Sequence, residues 1–144
     1  MGKLYTAIIE TPKGAFIKRD EKGSIDLISP IPCPFNYGRV KGLRGKDGDP
    51  LDAVVLGPGL QYNAFCVMPV VGRVLFVDAG LEDHKIVFSK RTPTKKELLS
   101  LRLFFGFYAQ IKKLSNFSFK SRCRTEFLGL ECGEIDLYEF MHNK

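Results

Sequence analysis

The stretch Gly45–Gly57, read as GKDGDPLDAVVLG, joins a cluster of three carboxylates to an apolar run that is typical of a buried strand. Gly48 and Pro50 break the alternation of an extended chain, because glycine widens the choice of backbone angles and proline fixes its own. The segment can therefore turn the three acids toward one place, although acids held that close repel one another unless a cation lies among them. The carboxylates belong to Asp47, Asp49 and Asp52.

A second acidic pair lies further along the chain, in the stretch FVDAGLEDHK. Asp78 ends a predicted strand, and Asp83 follows a hairpin-like turn, Ala79–Glu82, that contains Gly80. Such a turn brings the two carboxylates close together in space, and Lys85 lies on the same strand face as Asp83. Carboxylates edged by a lysine are typical of sites that bind a hard divalent cation together with phosphate.

The first cluster has two other interpretations. An EF-hand loop requires an oxygen ligand at its fifth position, where this segment has Leu51, so that interpretation fails. An acidic turn that caps a strand and binds nothing stays open for the first cluster alone. The second acidic pair weighs against it.

Length and composition favour one globular domain over residues 1–144, with 44% hydrophobic residues and no apolar run long enough for a membrane helix. The first residues lack the pattern of a secretion signal, and the four cysteines form no C-x-x-C pair. These features predict reduced thiols, a cytoplasmic location and no membrane partner. The net charge of +6 is spread along the chain, which fits a solvated basic face or a phosphate-rich ligand.

Short apolar segments between glycine and proline turns predict β-strands in the first part of the chain. The predicted strands are Leu4–Glu10, Ala15–Lys18, Ile25–Ser29, Ala53–Leu56, Ala64–Val77 and Lys85–Phe88. Thr94 and Glu97 then form a capping box, and helical spacing of apolar residues predicts a long helix over Lys95–Leu114. A short second helix is expected near Glu134–His142. The pattern favours a mainly β, α+β fold: a small β-barrel with one long and one short C-terminal helix.

Together these segments resemble the family I soluble inorganic pyrophosphatases. Asp47–Asp52 matches the family signature Asp-x-Asp-Pro-hydrophobic-Asp, and PFNYG, Pro34–Gly38, precedes it at the family's spacing. The residues Asp78, Asp83 and Lys85 match a later Asp-x4-Asp-x-Lys segment. Further matches are IIETPKG, FIKRD and FFGFYAQ, which supply Glu10, Lys18, Asp20 and Tyr108. The resemblance runs in order from about Leu4 to Leu114.

The resemblance implies hydrolysis of pyrophosphate to two orthophosphates with several Mg²⁺ ions, on an OB-like five-stranded β-barrel. It also implies a homo-oligomer, of which a hexamer is one form. The metal ligands would be Asp47, Asp52 and Asp83, with Asp78 holding a further ion that arrives with substrate. Asp49 would orient or deprotonate the attacking water. The phosphates would be held by Lys18, Tyr37, Lys85 and Tyr108, and the metal site would be supported by Glu10 and Asp20.

The chain departs from the family pattern at several phosphate-binding positions. Ser24–Pro32 has no basic residue where the family places an arginine, and Ala109 replaces the lysine after the helix tyrosine. Cys33 replaces a tyrosine, and Asp20 is a shorter acid than the family has. Loss of one charge-assisted contact costs about 1.5–3 kcal/mol. The candidates for compensation are Arg39, Arg44, Lys112 and Lys113.

Other classes of function stay open at this point. A basic OB-like module could bind a nucleotide or single-stranded nucleic acid by stacking bases on Phe104, Phe105, Phe117 or Phe119. The acids disfavour nucleic acid as a partner, because five carboxylates in a groove repel phosphates. A phosphohydrolase for another diphosphate is a related alternative. Single residues also have simpler interpretations: Tyr37 as a turn aromatic, Tyr108 as a core residue and His84 as a solvated neighbour.

Overall fold

The structure is a computed structural model that describes residues 3–19, 22–28, 31–46, 48–120, 124–135 and 137. The side chains of 18, 19, 26–28 and 115–120 lie outside the described part. In chain order the elements are β1 (Leu4–Thr11), β2 (Ile17–Arg19), β3 (Ile25–Ile28), β4 (Asn36–Arg44), β5 (Pro50–Val55), β6 (Phe65–Asp78), β7 (Leu81–Glu82), β8 (Lys85–Phe88), α1 (Lys95–Lys120) and β9 (Glu126–Cys132). Within those ranges, no helix has the length and apolarity that crossing a bilayer requires.

Five strands close into a barrel in the order β1, β4, β5, β8 and β6, and β6 pairs back onto β1. The pairings are antiparallel except for β5 with β8, which run parallel. Strands β7 and β9 extend the sheet from β6, whereas β2 and β3 form a separate two-stranded sheet. The predicted OB-like five-stranded barrel is thereby confirmed.

Strand β5 separates two apolar clusters, because its side chains alternate between the inside and the outside of the barrel. Leu51, Ala53 and Val55 belong to the cluster that fills the interior. Val54 belongs to a second cluster, which lies between the outer face of the barrel and helix α1. Asp52 alternates with Leu51 and Ala53, so the fold directs it to the outer face.

Helix α1 covers part of that outer face with an aromatic stripe. The ring centre of Phe105 lies 5.7 Å from that of Phe35 and 6.3 Å from that of Phe76. The helix begins at Lys95 as predicted but continues to Lys120, six residues beyond the predicted end at Leu114. The predicted end was wrong because residues 111–120 contain no glycine or proline that would stop a helix. The short helix expected over 134–142 lies largely outside the described residues.

The capping box is confirmed by two reciprocal hydrogen bonds. The Glu97 N–H donates to Thr94 Oγ1 over 3.1 Å, and the Thr94 N–H donates to Glu97 Oε1 over 3.0 Å. Arg91 Nη1 also donates to Glu97 Oε1 over 3.0 Å. The start of α1 is therefore fixed by side chains that satisfy backbone donors of its first turn.

The Asn-Tyr-Gly segment opens β4 and explains why this strand fits so closely beside β1. The Asn36 side chain is buried, accepts the N–H groups of Lys13 and Leu60 and donates to the carbonyl of Pro58. At Gly38, a Cβ atom would lie 1.8 Å from the Ile8 carbonyl oxygen, so only glycine permits this strand separation. Sequence reasoning missed β4 because its two glycines and three basic residues weaken the strand pattern.

Replacing Thr94 by alanine removes the oxygen that accepts the Glu97 N–H. We expect the free energy of unfolding to fall by about 1 kcal/mol, the usual cost of losing an N-cap. Urea denaturation measures the change, and Thr92→Ala is the control, because the exposed Thr92 contributes only its backbone carbonyl to Arg91. Equal losses in both variants would contradict the cap.

Glu97 is expected to contribute to the dependence of stability on pH in the acidic range. Burial raises the pKa of its carboxyl, but the Thr94 N–H and Arg91 more than offset this, so the pKa lies below its ordinary value of 4.5. A carboxyl with a depressed pKa stabilises the fold above the unfolded value, and this contribution is lost as pH falls through the lower folded value. The Glu97→Gln variant should lose less stability than the wild type as the pH falls below 4.5. Thermal unfolding from pH 7 to 3 measures the difference. Parallel profiles would refute the assignment.

Candidate active site

The ammonium group of Lys85 joins the two acidic segments. Lys85 in β8 lies beside Asp52 in β5 through the parallel pairing of the two strands. Its Nζ donates to Asp52 Oδ2 over 2.8 Å and to Asp83 Oδ2 over 2.7 Å. Lys85 is fully buried, whereas the two aspartates are 20% and 19% exposed. The structure thus brings Asp52 and Asp83, which come from separate segments, to one cation.

A row of charged side chains, called the charged row below, runs across the sheet from Asp52 to β4 and β1. Arg39 lies directly opposite Asp52 in the β4–β5 pairing, and directly opposed residues share one face of a sheet. Arg39 Nη1 lies 2.8 Å from Oε2 of Glu10, whose side chain is buried. Charges of opposite sign therefore alternate along the row Glu10, Arg39, Asp52, Lys85 and Asp83. This order limits the repulsion among the acids.

Asp78 stands at the end of β6, where a hairpin is confirmed, but the predicted turn over Ala79–Glu82 was too long, because Leu81–Glu82 already form strand β7. Asp78 pairs with Leu81 across a two-residue turn in which Ala79 and Gly80 both have positive φ, 52° and 81°. Lys112 Nζ of helix α1 lies 3.5 Å from Asp78 Oδ2. The Thr125 hydroxyl lies 3.4 Å from Asp78 Oδ1 and accepts the Ala79 N–H over 3.0 Å. Asp78 is thus held between the helix and the segment before β9.

Glu82 connects the hairpin to the loop that carries the first acids. Lys46 Nζ lies 3.1 Å from Glu82 Oε2, and His84 Nε2 lies 3.2 Å from Glu82 Oε1. A cleft between the two acidic segments runs here, lined by Gly45, Lys46, Pro50, Leu51, Glu82, Asp83 and His84. Asp83, one of the two acids that Lys85 joins, belongs to this lining.

The expectation that His84 is solvated was wrong. The imidazole is only 11% exposed, and its Nδ1 accepts the Phe76 N–H over 3.0 Å. Burial lowers the pKa of His84; the Glu82 carboxylate opposes this shift and the Arg73 guanidinium adds to it. The residues next to His84 in the sequence do not indicate this contact, because its donor, the Phe76 N–H, belongs to the adjacent strand β6.

Both candidate tyrosines are buried beneath α1. Tyr37 of β4 and Tyr108 of the helix belong to the cluster between helix and barrel, and the ring centre of Tyr108 lies 5.6 Å from that of Phe76. Burial, followed by the charge of Asp52, raises the pKa of Tyr37 well above 10.0. Its hydroxyl therefore keeps its proton near neutral pH. The interpretation of Tyr37 as a turn aromatic was wrong, while the phosphate contacts assigned to both tyrosines stay predictions.

The remaining candidates are described only in part. Asp49 is exposed and directly precedes β5, and its carbonyl accepts the Gly45 N–H over 2.9 Å in the loop between β4 and β5. The backbone of Lys18 lies in β2. The side chain of Lys18, together with Asp20 and Asp47, lies outside the described residues.

The described acids fit a hard divalent cation by their chemistry, although they do not form a complete metal site. Leaving aside Asp47, no three His, Cys, Asp or Glu side chains of the described part are grouped as ligands. Asp52 and Asp83 nevertheless place carboxylate oxygens 2.8 and 2.7 Å from one cationic nitrogen. Carboxylate oxygens are the ligands that hard divalent cations prefer. The carboxylates of Asp52 and Asp83 can therefore also bind a second cation that approaches from their exposed side.

Sequence reasoning did not predict two contacts of Asp78. A signal for Lys112 exists, because residues four apart on a helix lie on one face, and Lys112 follows Tyr108 by four. No signal pointed to Thr125, which precedes a strand, β9, that the sequence pattern did not predict.

Comparison with protein families gives a match over most of the chain. A family profile described as "Inorganic pyrophosphatase" matches residues 7–123. An inorganic pyrophosphatase of Sulfolobus acidocaldarius is 31% identical over 107 residues, which cover 69% of this chain and 62% of that protein. One of Geobacillus stearothermophilus is 34% identical over 94 residues, covering 59% of this chain and 56% of that protein. The chain thus spans about three fifths of the length of these curated relatives.

Solved structures share the fold. An inorganic pyrophosphatase of Helicobacter pylori superposes with a TM-score of 0.69 at 23% identity, covering 88% of this chain and 83% of that one. One of Coxiella burnetii superposes with a TM-score of 0.70 at 22% identity, covering 90% and 86%. At this level of identity the likeness establishes the barrel and its helix.

Replacing Lys85 by methionine removes the charge between Asp52 and Asp83 while keeping most of the apolar volume. We expect the free energy of unfolding to fall by roughly 2–3 kcal/mol, less than for a fully buried pair, because both carboxylates keep some contact with water. Millimolar Mg²⁺ should restore more stability to this variant than to the wild type, since a cation that binds the folded state stabilises it.

Urea denaturation with and without Mg²⁺ checks both expectations. Lys90→Met is the control, because Lys90 is exposed just beyond β8. A loss no larger than that of the control would contradict the role of the ammonium.

Proposed function

The chain belongs to the inorganic pyrophosphatase family, and from that premise we propose that it hydrolyses inorganic pyrophosphate to two orthophosphates. The observation that carries the proposal is the meeting of Asp52 and Asp83 at Lys85, which joins the two acidic segments at one cleft. Similarity to the inorganic pyrophosphatases of Sulfolobus acidocaldarius and Geobacillus stearothermophilus supports it.

We propose Mg²⁺, as several ions, for the metal that the reaction uses. Its ligands would be Asp47, Asp52, Asp78 and Asp83, which supply the carboxylate oxygens that this hard cation prefers. When bound, Mg²⁺ neutralises charge on the phosphoryl groups and lowers the pKa of a coordinated water.

The chain's own residues then position the reactants. Asp49, exposed directly before β5, accepts a proton from the attacking water. Tyr37 and Tyr108 donate hydrogen bonds to phosphate oxygens without adding charge, and the raised pKa of Tyr37 keeps its proton in place. Lys85 orients Asp52 and Asp83 through its two hydrogen bonds.

Three residues complete the proposal. Lys18 would bind phosphate, and Glu10 and Asp20 would support the metal site. For Glu10, the described contact is the ion pair with Arg39, which holds this carboxylate at the end of the charged row.

A nucleic-acid-binding module is not favoured. Phe104 and Phe105 are buried between α1 and the barrel, so neither ring offers a face on which a base could stack. The family match favours hydrolysis instead.

We further propose that the protein is a cytoplasmic homo-oligomer, with a hexamer as one form. Leu99, Leu103, Phe107 and Leu114 are exposed on α1 away from the barrel, and apolar side chains in this pattern are typical of a surface that a second copy covers. Cys33, Cys66 and Cys132, among the described residues, are free thiols, as in a reducing compartment. Light scattering measures the assembled mass directly.

Asp52→Asn should abolish phosphate release. The carboxamide keeps the shape of the side chain but loses the charge that serves both Lys85 and the metal, and we expect the rate to fall by roughly 10²- to 10⁴-fold. A phosphate-release assay with pyrophosphate and Mg²⁺ measures it, and chelator or fluoride should likewise stop the wild type.

Glu131→Gln is the control, because Glu131 pairs with Arg73 on the exposed β6–β9 edge. Phosphate release by Asp52→Asn at the wild-type rate would overturn the proposal. Absence of release by the wild type, together with salt-sensitive binding of oligonucleotides, would favour the nucleic-acid module instead.

A further inference from the structure

Helix α1 carries a lysine to the acidic site three residues beyond Ala109, the position where the family pattern has a lysine. Ala109, directly after Tyr108, is buried against the barrel, so a side chain at this position enters the core. Lys112 lies one turn further along the helix. Its Nζ is 3.5 Å from Asp78 Oδ2 and 5.9 Å from the ring centre of Tyr108. The helix thus places an ammonium group beside one acid and one aromatic ring of the site.

The surroundings of Lys112 distinguish it from the other basic residues that could compensate for the missing contacts. Arg39 bonds to Glu10, and Arg44 bonds to the carbonyl of Gly48. Lys113 is exposed, whereas the side chain of Lys112 is 18% exposed. Lys112 pairs with Asp78, a predicted metal ligand, over 3.5 Å.

An ammonium group that is mostly removed from water needs a negative partner. Asp78 provides that partner while it binds no metal. If Asp78 held a divalent cation, the ammonium group, which lies 3.5 Å from Asp78 Oδ2, would lose this partner and would be repelled by the ion. An anion that arrives with the metal then satisfies both cations at once.

We propose that Lys112 is a phosphate-binding residue of this site: it pairs with Asp78 when no ligand is present and binds a phosphoryl oxygen when Asp78 holds a divalent cation. The identity of the anion, pyrophosphate or its orthophosphate product, rests on the proposed function. Lys112 thereby couples metal binding to phosphate binding. Its position on α1 makes the helix part of the site as well as of the core.

Calorimetry with Mg²⁺ and orthophosphate tests the proposal without relying on turnover. In Lys112→Met, orthophosphate affinity at saturating Mg²⁺ should fall roughly 10- to 100-fold, the effect of one charge-assisted contact. Mg²⁺ affinity without phosphate should stay equal or rise, because the ammonium no longer competes for Asp78. Lys113→Met should change neither affinity, and Lys112→Arg should retain part of the phosphate affinity. Thermal unfolding confirms that each variant is folded.

Three results would overturn the inference. One is equal orthophosphate affinity in Lys112→Met and Lys113→Met, and another is no orthophosphate binding by the wild type. The third is a parallel loss of Mg²⁺ and phosphate affinity in Lys112→Met, which marks a merely structural role. Pyrophosphate hydrolysis by the wild type is measured separately. Its absence, with phosphate binding that still depends on Lys112, would refute the proposed function and support the phosphate site.

Discussion

The ammonium of Lys85 between Asp52 and Asp83 is the interaction on which the site depends. A fully buried charge is tolerated only where opposite charges and hydrogen bonds replace water, and the two carboxylates provide both. The same contact binds β5 and β8 to the segment after β7. Because Arg39 lies opposite Asp52, each acid of the row has a basic neighbour. Asp52 and Asp83, the proposed metal ligands, are thus held together by the protein's own cation.

Strand β5 gives the barrel two different faces. Toward the inside, its alternate side chains build an apolar interior; toward the outside, Val54 packs under α1 while Asp52 lies in the charged row. Tyr37 and Tyr108 stand where the aromatic layer meets the acids, and Lys112 follows one turn beyond Tyr108. The packing of the helix and the proposed phosphate contacts therefore involve the same two tyrosines.

The sequence predicted the local features better than the distant contacts. The hairpin before Asp83, the capping box at Thr94 and the barrel follow from turn chemistry, hydrogen-bonding residue types and short apolar segments. Strand β4 was missed because Asn36 and Gly38 are selected by contacts with other segments. The pairing of Asp78 with Thr125, 47 residues away, depends on strand register that no local pattern encodes. The sequence thus indicated which residues belong to the candidate site. Which residues they contact could be seen only in the folded structure.

The parallel pairing of β5 with β8 has a consequence for how the molecule folds. Asp52 and Lys85 are 33 residues apart, and the strand that closes the barrel, β6, lies between them in the chain. Parallel strands cannot be joined by a tight turn, so this pairing must overcome the entropy of closing a long loop. A nascent chain that ends before β8 contains the DGDPLD segment without its cation. The contact of Lys85 with Asp52 and the completion of the barrel therefore both require β8.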